Sequence, residues 1–166
     1  QILDESLGTL SDEHYSNFNT ESAICFFSTT QYCFFAEGKI HLKNILDQRI
    51  VNSESIYYER DNEITSTVLK SSGKEIFLLL PGIGLWQFSG FLNEEFSVED
   101  SQIKSIDLKD NQLFYLKENQ IYQWEKGSKP SEPIYKSNFK INSFAVNSKY
   151  LIIAENNQIR RFRWLN

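Results

Sequence analysis

Hydrophobic residues in this chain come in short runs separated by turn-forming pairs. The clearest case is Leu113 to Trp124, LFYLKENQIYQW. An apolar and aromatic run, a Glu118-Asn119 turn and a second apolar run predict strand, tight turn, strand. Three other stretches align with it: YCFFAEGKI from Tyr32, IFLLLPGIGLWQF from Ile76 and YLIIAENNQIRRF from Tyr150. Their turns fall at Glu37-Gly38, Pro81-Gly82 and Asn156-Asn157.

The second strand of each hairpin opens with Ile40, Leu85, Ile121 or Ile159, so the unit recurs after 45, 36 and 38 residues. Upstream of each hairpin lies another strand-like run: Ala23 to Phe27, Ile64 to Leu69, Ile103 to Leu108, Ile141 to Val146. A shorter run precedes each of those: His14 to Phe18, Ser55 to Tyr58, Glu95 to Val98, Pro133 to Tyr135. That makes four short strands per unit. One such sheet cannot bury both its faces, but copies stacked around an axis can. A period in this range therefore predicts an all-β chain of β-propeller blades, about four four-stranded antiparallel sheets. The expected units are 13–50, 53–91, 94–130 and 132–166, in a single domain. Four copies make a small ring, a partial ring, or half of a ring that further sequence or a partner completes.

A finer pattern sits in the second strands. Ile121 is followed three residues on by Trp124, Leu85 by Phe88 and Ile159 by Phe162, whereas the first unit has Lys43 there. Residues three apart face opposite sides of a flat strand. The pattern thus predicts a strongly twisted or bulged strand.

The motif also carries a family resemblance. Ile121-x-x-Trp124 is similar to the final strand of WD-repeat blades, without their Gly-His and Trp-Asp pairs. Gln120-Ile121-Tyr122-Gln123-Trp124-Glu125-Lys126-Gly127 resembles repeats of the regulator of chromosome condensation (RCC1-like), and Gly84-Leu85-Trp86-Gln87-Phe88-Ser89-Gly90 does so more loosely. Most of that family's glycines are absent, so the repeats are degenerate. The resemblance implies a propeller scaffold, and rings of this kind close with about seven blades. It also implies one specific alternative activity, guanine-nucleotide exchange on a small GTPase.

Composition narrows the functional classes. The net charge of −5 does not favour nonspecific nucleic-acid binding. No apolar run is long enough for a membrane-spanning helix. No signal peptide is visible and no Asn-x-Ser/Thr acceptor occurs, which points to an intracellular protein. The chain starts at Gln1 and contains no methionine, as a fragment or processed chain would. Cys25 and Cys33 fall roughly opposite each other on two strands; buried free thiols are expected rather than a disulfide or a metal site.

Candidate chemistry is sparse. Gly82-Ile83-Gly84 lies in a hairpin turn, not before a helix, so it is no phosphate loop. His14 and His41 are the only histidines and form no triad with a serine and an acid. Glu94, Glu95, Glu99 and Asp100 cluster in a loop and short strand. Aromatics beside bases near Phe162 and Trp164 read as blade core. No catalytic residue, cofactor, metal or small-molecule substrate is implied, and an enzyme with a site in the central channel is the least supported reading.

Charge is uneven, however. From Lys136 onward there are six bases and one acid. The connector from Lys126 to Pro133 is polar and proline-rich. Lys126, Lys129, Arg160, Arg161 and Arg163 are therefore the candidate partner-binding residues. The simpler alternatives are a solvated loop and a charged strand edge that discourages aggregation. The expected role is a platform that binds another protein, as one subunit of a larger assembly.

Overall fold

The computed structural model describes residues 23–58, 66–124 and 132–164, together with the backbone of two short strands before them. Those two, β1 (Leu3–Asp4) and β2 (Gly8–Thr9), pair with each other. The described residues contain no helix, and none long and apolar enough to cross a membrane.

The other strands form four antiparallel meanders. The first is β3 (Ala23–Phe26), β4 (Gln31–Ala36), β5 (Lys39–Asn44) and β6 (Ile50–Ser55). The second is β7 (Val68–Ser71), β8 (Glu75–Leu80), β9 (Gly84–Ser89) and β10 (Glu94–Val98). The third is β11 (Ile103–Lys109), β12 (Gln112–Lys117), β13 (Gln120–Gln123) and β14 (Tyr135–Lys136). The fourth has three strands, β15 (Ile141–Val146), β16 (Tyr150–Glu155) and β17 (Gln158–Arg163). The leading strands lie side by side, β3 against β7, β7 against β11, and β11 against β15. Sheets that share a row of leading strands and stack face to face are propeller blades.

The sheets are offset from the sequence period by one strand. Ser55, Glu95 to Val98 and Tyr135 pair with the hairpin before them, so the sheets run 23–55, 68–98, 103–136 and 141–163. In a meander each strand pairs with the one just completed, which is why the short strand closes a sheet rather than opening the next. His14 to Phe18 lies outside the described residues.

Turn chemistry fixes the hairpins. Glu37 and Gly38 have φ of 54° and 73°, and Asn156 and Asn157 have 44° and 58°. Two consecutive positive values give the turn whose twist matches that of its flanking strands.

Packing follows strict alternation. In β8, Ile76, Leu78 and Leu80 face the first sheet, whereas Phe77 and Leu79 face the third. In β12, Leu113 and Tyr115 face the second sheet, and Phe114 and Leu116 the fourth. A central sheet is thus apolar on both sides, which explains runs such as IFLLL. The same alternation accounts for the i,i+3 pattern of the second hairpin strand. Leu85 packs toward the third sheet and Phe88 toward the first; Ile121 and Trp124 likewise part to opposite faces. Residues at i and i+3 are both apolar because both faces are covered. The pairing of β9 with β8 and of β17 with β16 is regular; register shifts fall at Leu42–Lys43, where β5 meets β6, and at Glu94–Phe96, Ile103–Ser105 and Ile141–Ser143.

Candidate functional site

The candidate residues that can be placed lie on β17. Its register with β16 is Tyr150↔Arg163, Leu151↔Phe162, Ile152↔Arg161, Ile153↔Arg160, Ala154↔Ile159 and Glu155↔Gln158. Leu151 and Ile153 pack toward the third sheet. Arg160 shares that side; Ile159, Arg161 and Arg163 point to the other. The structure therefore divides the three arginines between two faces. Lys126 and Lys129 lie outside the described residues.

Arg160 is committed to an internal contact. Its Nε lies 2.9 Å from Oε1 of Glu155, a carboxylate only 1% exposed. The Tyr135 hydroxyl donates to the same oxygen at 2.8 Å. A hydrogen bond from Ser137, then the Tyr135 bond and the Arg160 charge, hold the Glu155 carboxyl below its ordinary range against the opposing effect of burial. Arg160 and Glu155 thus tie the outer strand to its neighbour.

Arg161 and Arg163 are differently placed. The Arg161 guanidinium sits 4.9 Å from the Tyr150 ring centroid, a cation–π contact on the outer face. Both arginines are exposed. Beside them stand Ile152, Ala154 and Ile159. Ile40, Leu85 and Ile121 occupy the same place in the other sheets and are all 0% exposed, whereas Ile159 is 79% exposed. The fourth sheet thus shows to solvent the face that each earlier sheet turns to its successor.

Among the described residues no strand pairs with the outer edge of β17. Trp164 N–H donates to the Lys149 carbonyl at 3.1 Å, which fixes the hydrogen-bonding phase of the pair. The backbone groups of Arg160 and Phe162 then point at β16. Those of Ile159, Arg161 and Arg163 point to the outer edge, where no described strand pairs with them. In the third sheet the equivalent carbonyl, Ile121 O, accepts Ile134 N–H at 2.9 Å. The basic residues were legible in the sequence. Ile159 was read only as a repeat position, and no sequence signal marked it as uncovered.

Other candidate groups resolve into structure. Cys25 and Cys33 are directly opposite each other and free, Cys33 buried and Cys25 half-buried. A hydrogen bond between the thiols, Cys33 to Cys25, lowers the Cys25 pKa and raises that of Cys33. His41 stacks on Phe34 with ring centroids 4.6 Å apart, and burial pushes its imidazole pKa down. In the acidic cluster, Asp100 Oδ2 accepts from Lys117 Nζ at 2.7 Å and Glu94 Oε1 from the Ser97 hydroxyl at 2.7 Å. Burial pushes the Tyr115 hydroxyl up to about 12, with Tyr122 and Asp100 adding to the effect. His14 lies outside the described residues. Among the described residues no three His, Cys, Asp or Glu side chains are grouped to hold a metal ion.

No family model matches the chain, and no curated protein matches it in sequence. Solved structures do match its fold. The β-propeller domain of Myceliophteria thermophila Cps50 (Swd1) aligns with a TM-score of 0.62 at 13% identity, over 86% of this chain and 53% of that one. BBS1N, solved in complex with ARL6DN, aligns with a TM-score of 0.61 at 13% identity, over 86% and 50%. The computationally designed Ika4 protein aligns with a TM-score of 0.64 at 14% identity, over 92% and 95%. The chain therefore spans about half the length of the first two. The fold is that of β-propeller blades.

Proposed function

We propose that the chain is a protein-interaction module, a propeller platform that recruits a partner within a multi-subunit complex. The observation that carries this reading is the surface of the fourth sheet. Ile159 is 79% exposed where its three counterparts are fully buried. Arg161 and Arg163 follow it on the same face of β17. An exposed apolar residue at a position built for sheet packing, bordered by fixed positive charge, is the composition of a docking surface. BBS1N, similar in fold over about half its length, was solved in complex with ARL6DN, which supports a protein-binding role.

Lys126 and Lys129 remain candidate partner-binding residues on the sequence pattern alone. The partner acts in an intracellular setting, in keeping with two free thiols and the lack of a glycosylation acceptor. The 166 residues form one domain, with sequence units 13–50, 53–91, 94–130 and 132–166.

Affinity capture with the intact chain, followed by mass spectrometry, tests this. A stoichiometric partner is expected from wild type and is lost from a doubly substituted R161E/R163E chain that keeps its circular dichroism and melting temperature. Equal recovery by the two chains would remove this surface from the interface.

A further inference from the structure

We infer that the outer edge of β17 is a strand-acceptor site, and that its ligand is an extended acidic segment of a partner protein, added as a fourth antiparallel strand. This names the partner chemistry of the surface proposed above and rests on that reading.

Three observations converge. The first is the missing strand. Sheets one to three each have a fourth strand, β6, β10 and β14, whereas the fourth sheet ends at β17 among the described residues. The second is the register of the vacant groups. In the complete sheets the residue at the Ile159 position faces Glu54, Val98 or Tyr135. Neighbouring carbonyls are used too: Gly38 O accepts Ile56 N–H at 2.9 Å, and Asn119 O accepts Ser137 N–H at 3.0 Å. The matching groups on the fourth sheet are Asn157 O and the backbone of Ile159, Arg161 and Arg163. They form an edge with the same phase as edges that already hold a strand. Addition to such an edge draws affinity from main-chain hydrogen bonds and specificity from alternate side chains.

The third observation is charge. Arg161 and Arg163 are themselves residues whose backbone groups meet no strand among the described residues. Arginines on an edge repel the equivalent edge of a second copy and so guard against self-pairing. A strand bearing carboxylates reverses that sign, because guanidinium–carboxylate contacts are charge-assisted. Among the chain's own fourth strands β10 reads EEFSV and β6 places Glu54 opposite Ile40, whereas β14 is Tyr135-Lys136. The edges they pair with carry no arginine, so the preference for acids rests on Arg161 and Arg163 themselves. The ligand so defined is extended, has an apolar residue to set against Ile159, and carries acids within reach of Arg161 and Arg163.

The test uses the intact chain and a fluorescein-labelled synthetic peptide with the sequence of residues 93–100, NEEFSVED, read by fluorescence anisotropy. Saturable binding is expected. R161E/R163E should weaken it by about tenfold or more, and a peptide with lysine at each acid should bind that variant instead. Methylating alternate backbone nitrogens of the peptide should abolish binding, and hydrogen exchange at residues 158–163 should slow in the wild-type complex. No binding by the intact chain would overturn the inference. So would undiminished binding of the methylated peptide, which makes the site a charged patch only. Binding that appears only once residues 1–22 are removed would overturn it too, by naming the chain's own N-terminal segment as occupant. In all three cases a partner captured by wild type and lost by R161E/R163E would leave the docking surface itself standing.

Discussion

Lys70 Nζ lies 3.1 Å from Oδ1 of Asp107, so a cation on β7 meets a carboxylate on β11. The other carboxylate oxygen accepts the Val146 amide of β15 at 2.8 Å. One side chain therefore joins the leading strands of three consecutive sheets. The two bonds differ in worth. Lys70 is 41% exposed at its side chain, so solvent screens the pair. Val146 is 8% exposed, so its N–H is poorly placed to find water once the acceptor is gone.

Asp107→Ala should accordingly cost about 1–3 kcal/mol, mostly from the orphaned amide. Asp107→Asn keeps an acceptor oxygen and loses only the charge, so it should cost less than about 1 kcal/mol. Urea denaturation of both variants checks the order. Equal losses would mean that the ion pair, not the amide bond, holds these strands together.

The second and third sheets share a polar link inside an apolar joint. Gln87, 2% exposed, donates through Nε2 to Glu75 Oε1 at 2.7 Å, and its Oε1 accepts from Trp124 Nε1 at 3.1 Å. Trp124 also sits edge-on to Phe96 and Tyr115, at 5.1 Å and 6.0 Å. Gln87→Leu preserves bulk but strands the indole N–H and the Glu75 carboxylate. The expected cost is about 1–3 kcal/mol. Trp124→Phe should cost a similar amount, and the double variant less than the sum, because the second change removes a group the first had already orphaned. Denaturation of the four chains gives the coupling; strict additivity would show that the bond contributes nothing.

Legibility in the sequence followed this division between apolar and polar contacts. Hairpins, turns and the four-strand unit were readable because each strand must place residues at period two against two neighbours. The tandem copies make that constraint visible four times. The i,i+3 apolar pairs follow from strands that bury both faces, which alternation on a single face does not produce. Lys70, Asp107, Gln87 and Trp124 meet across 37 residues of chain. No local pattern encodes such pairs. The arginines of the candidate site stand out in the sequence by charge, but the pairing of Arg160, 46% exposed at its side chain, with Glu155 depends on cross-strand register. The exposure of Ile159 depends on which sheet follows, and that is decided by the fold.

Glycine at position 84 answers to space rather than to backbone angle. A Cβ there would stand 2.6 Å from the Val98 carbonyl oxygen, a backbone atom of the adjoining strand. Gly82, two residues earlier, has φ of 87° and nothing within 4 Å of a built Cβ. Gly84→Ala must push β10 away from β9 and should cost about 1–3 kcal/mol, as overpacking does. Gly82→Ala meets only the left-handed backbone penalty, about 1–2 kcal/mol. The readouts differ in kind. Hydrogen exchange at residues 94–98 should accelerate in the first variant and not in the second; acceleration in both would trace the effect to the turn.

Half-buried His41 and buried Glu155 both contribute to the acid response of the fold. Burial above all, then the Lys39 charge, holds the His41 imidazole below its ordinary 6.5, with Glu37 opposing and Lys43 adding to the effect. The native state therefore favours the neutral ring. Between the lowered value and 6.5 the unfolded chain binds more protons than the folded one, so the contribution is whole above 6.5 and declines as pH falls below it. Glu155 is held below its ordinary 4.5 by Ser137, Tyr135 and Arg160, so its contribution is whole above 4.5 and is lost only on further acidification. Urea midpoints measured from neutral pH downward should thus fall in two stages. His41→Gln should flatten the first and leave the second, whereas Glu155→Gln should do the reverse. A first stage that persists in His41→Gln would assign it to another group.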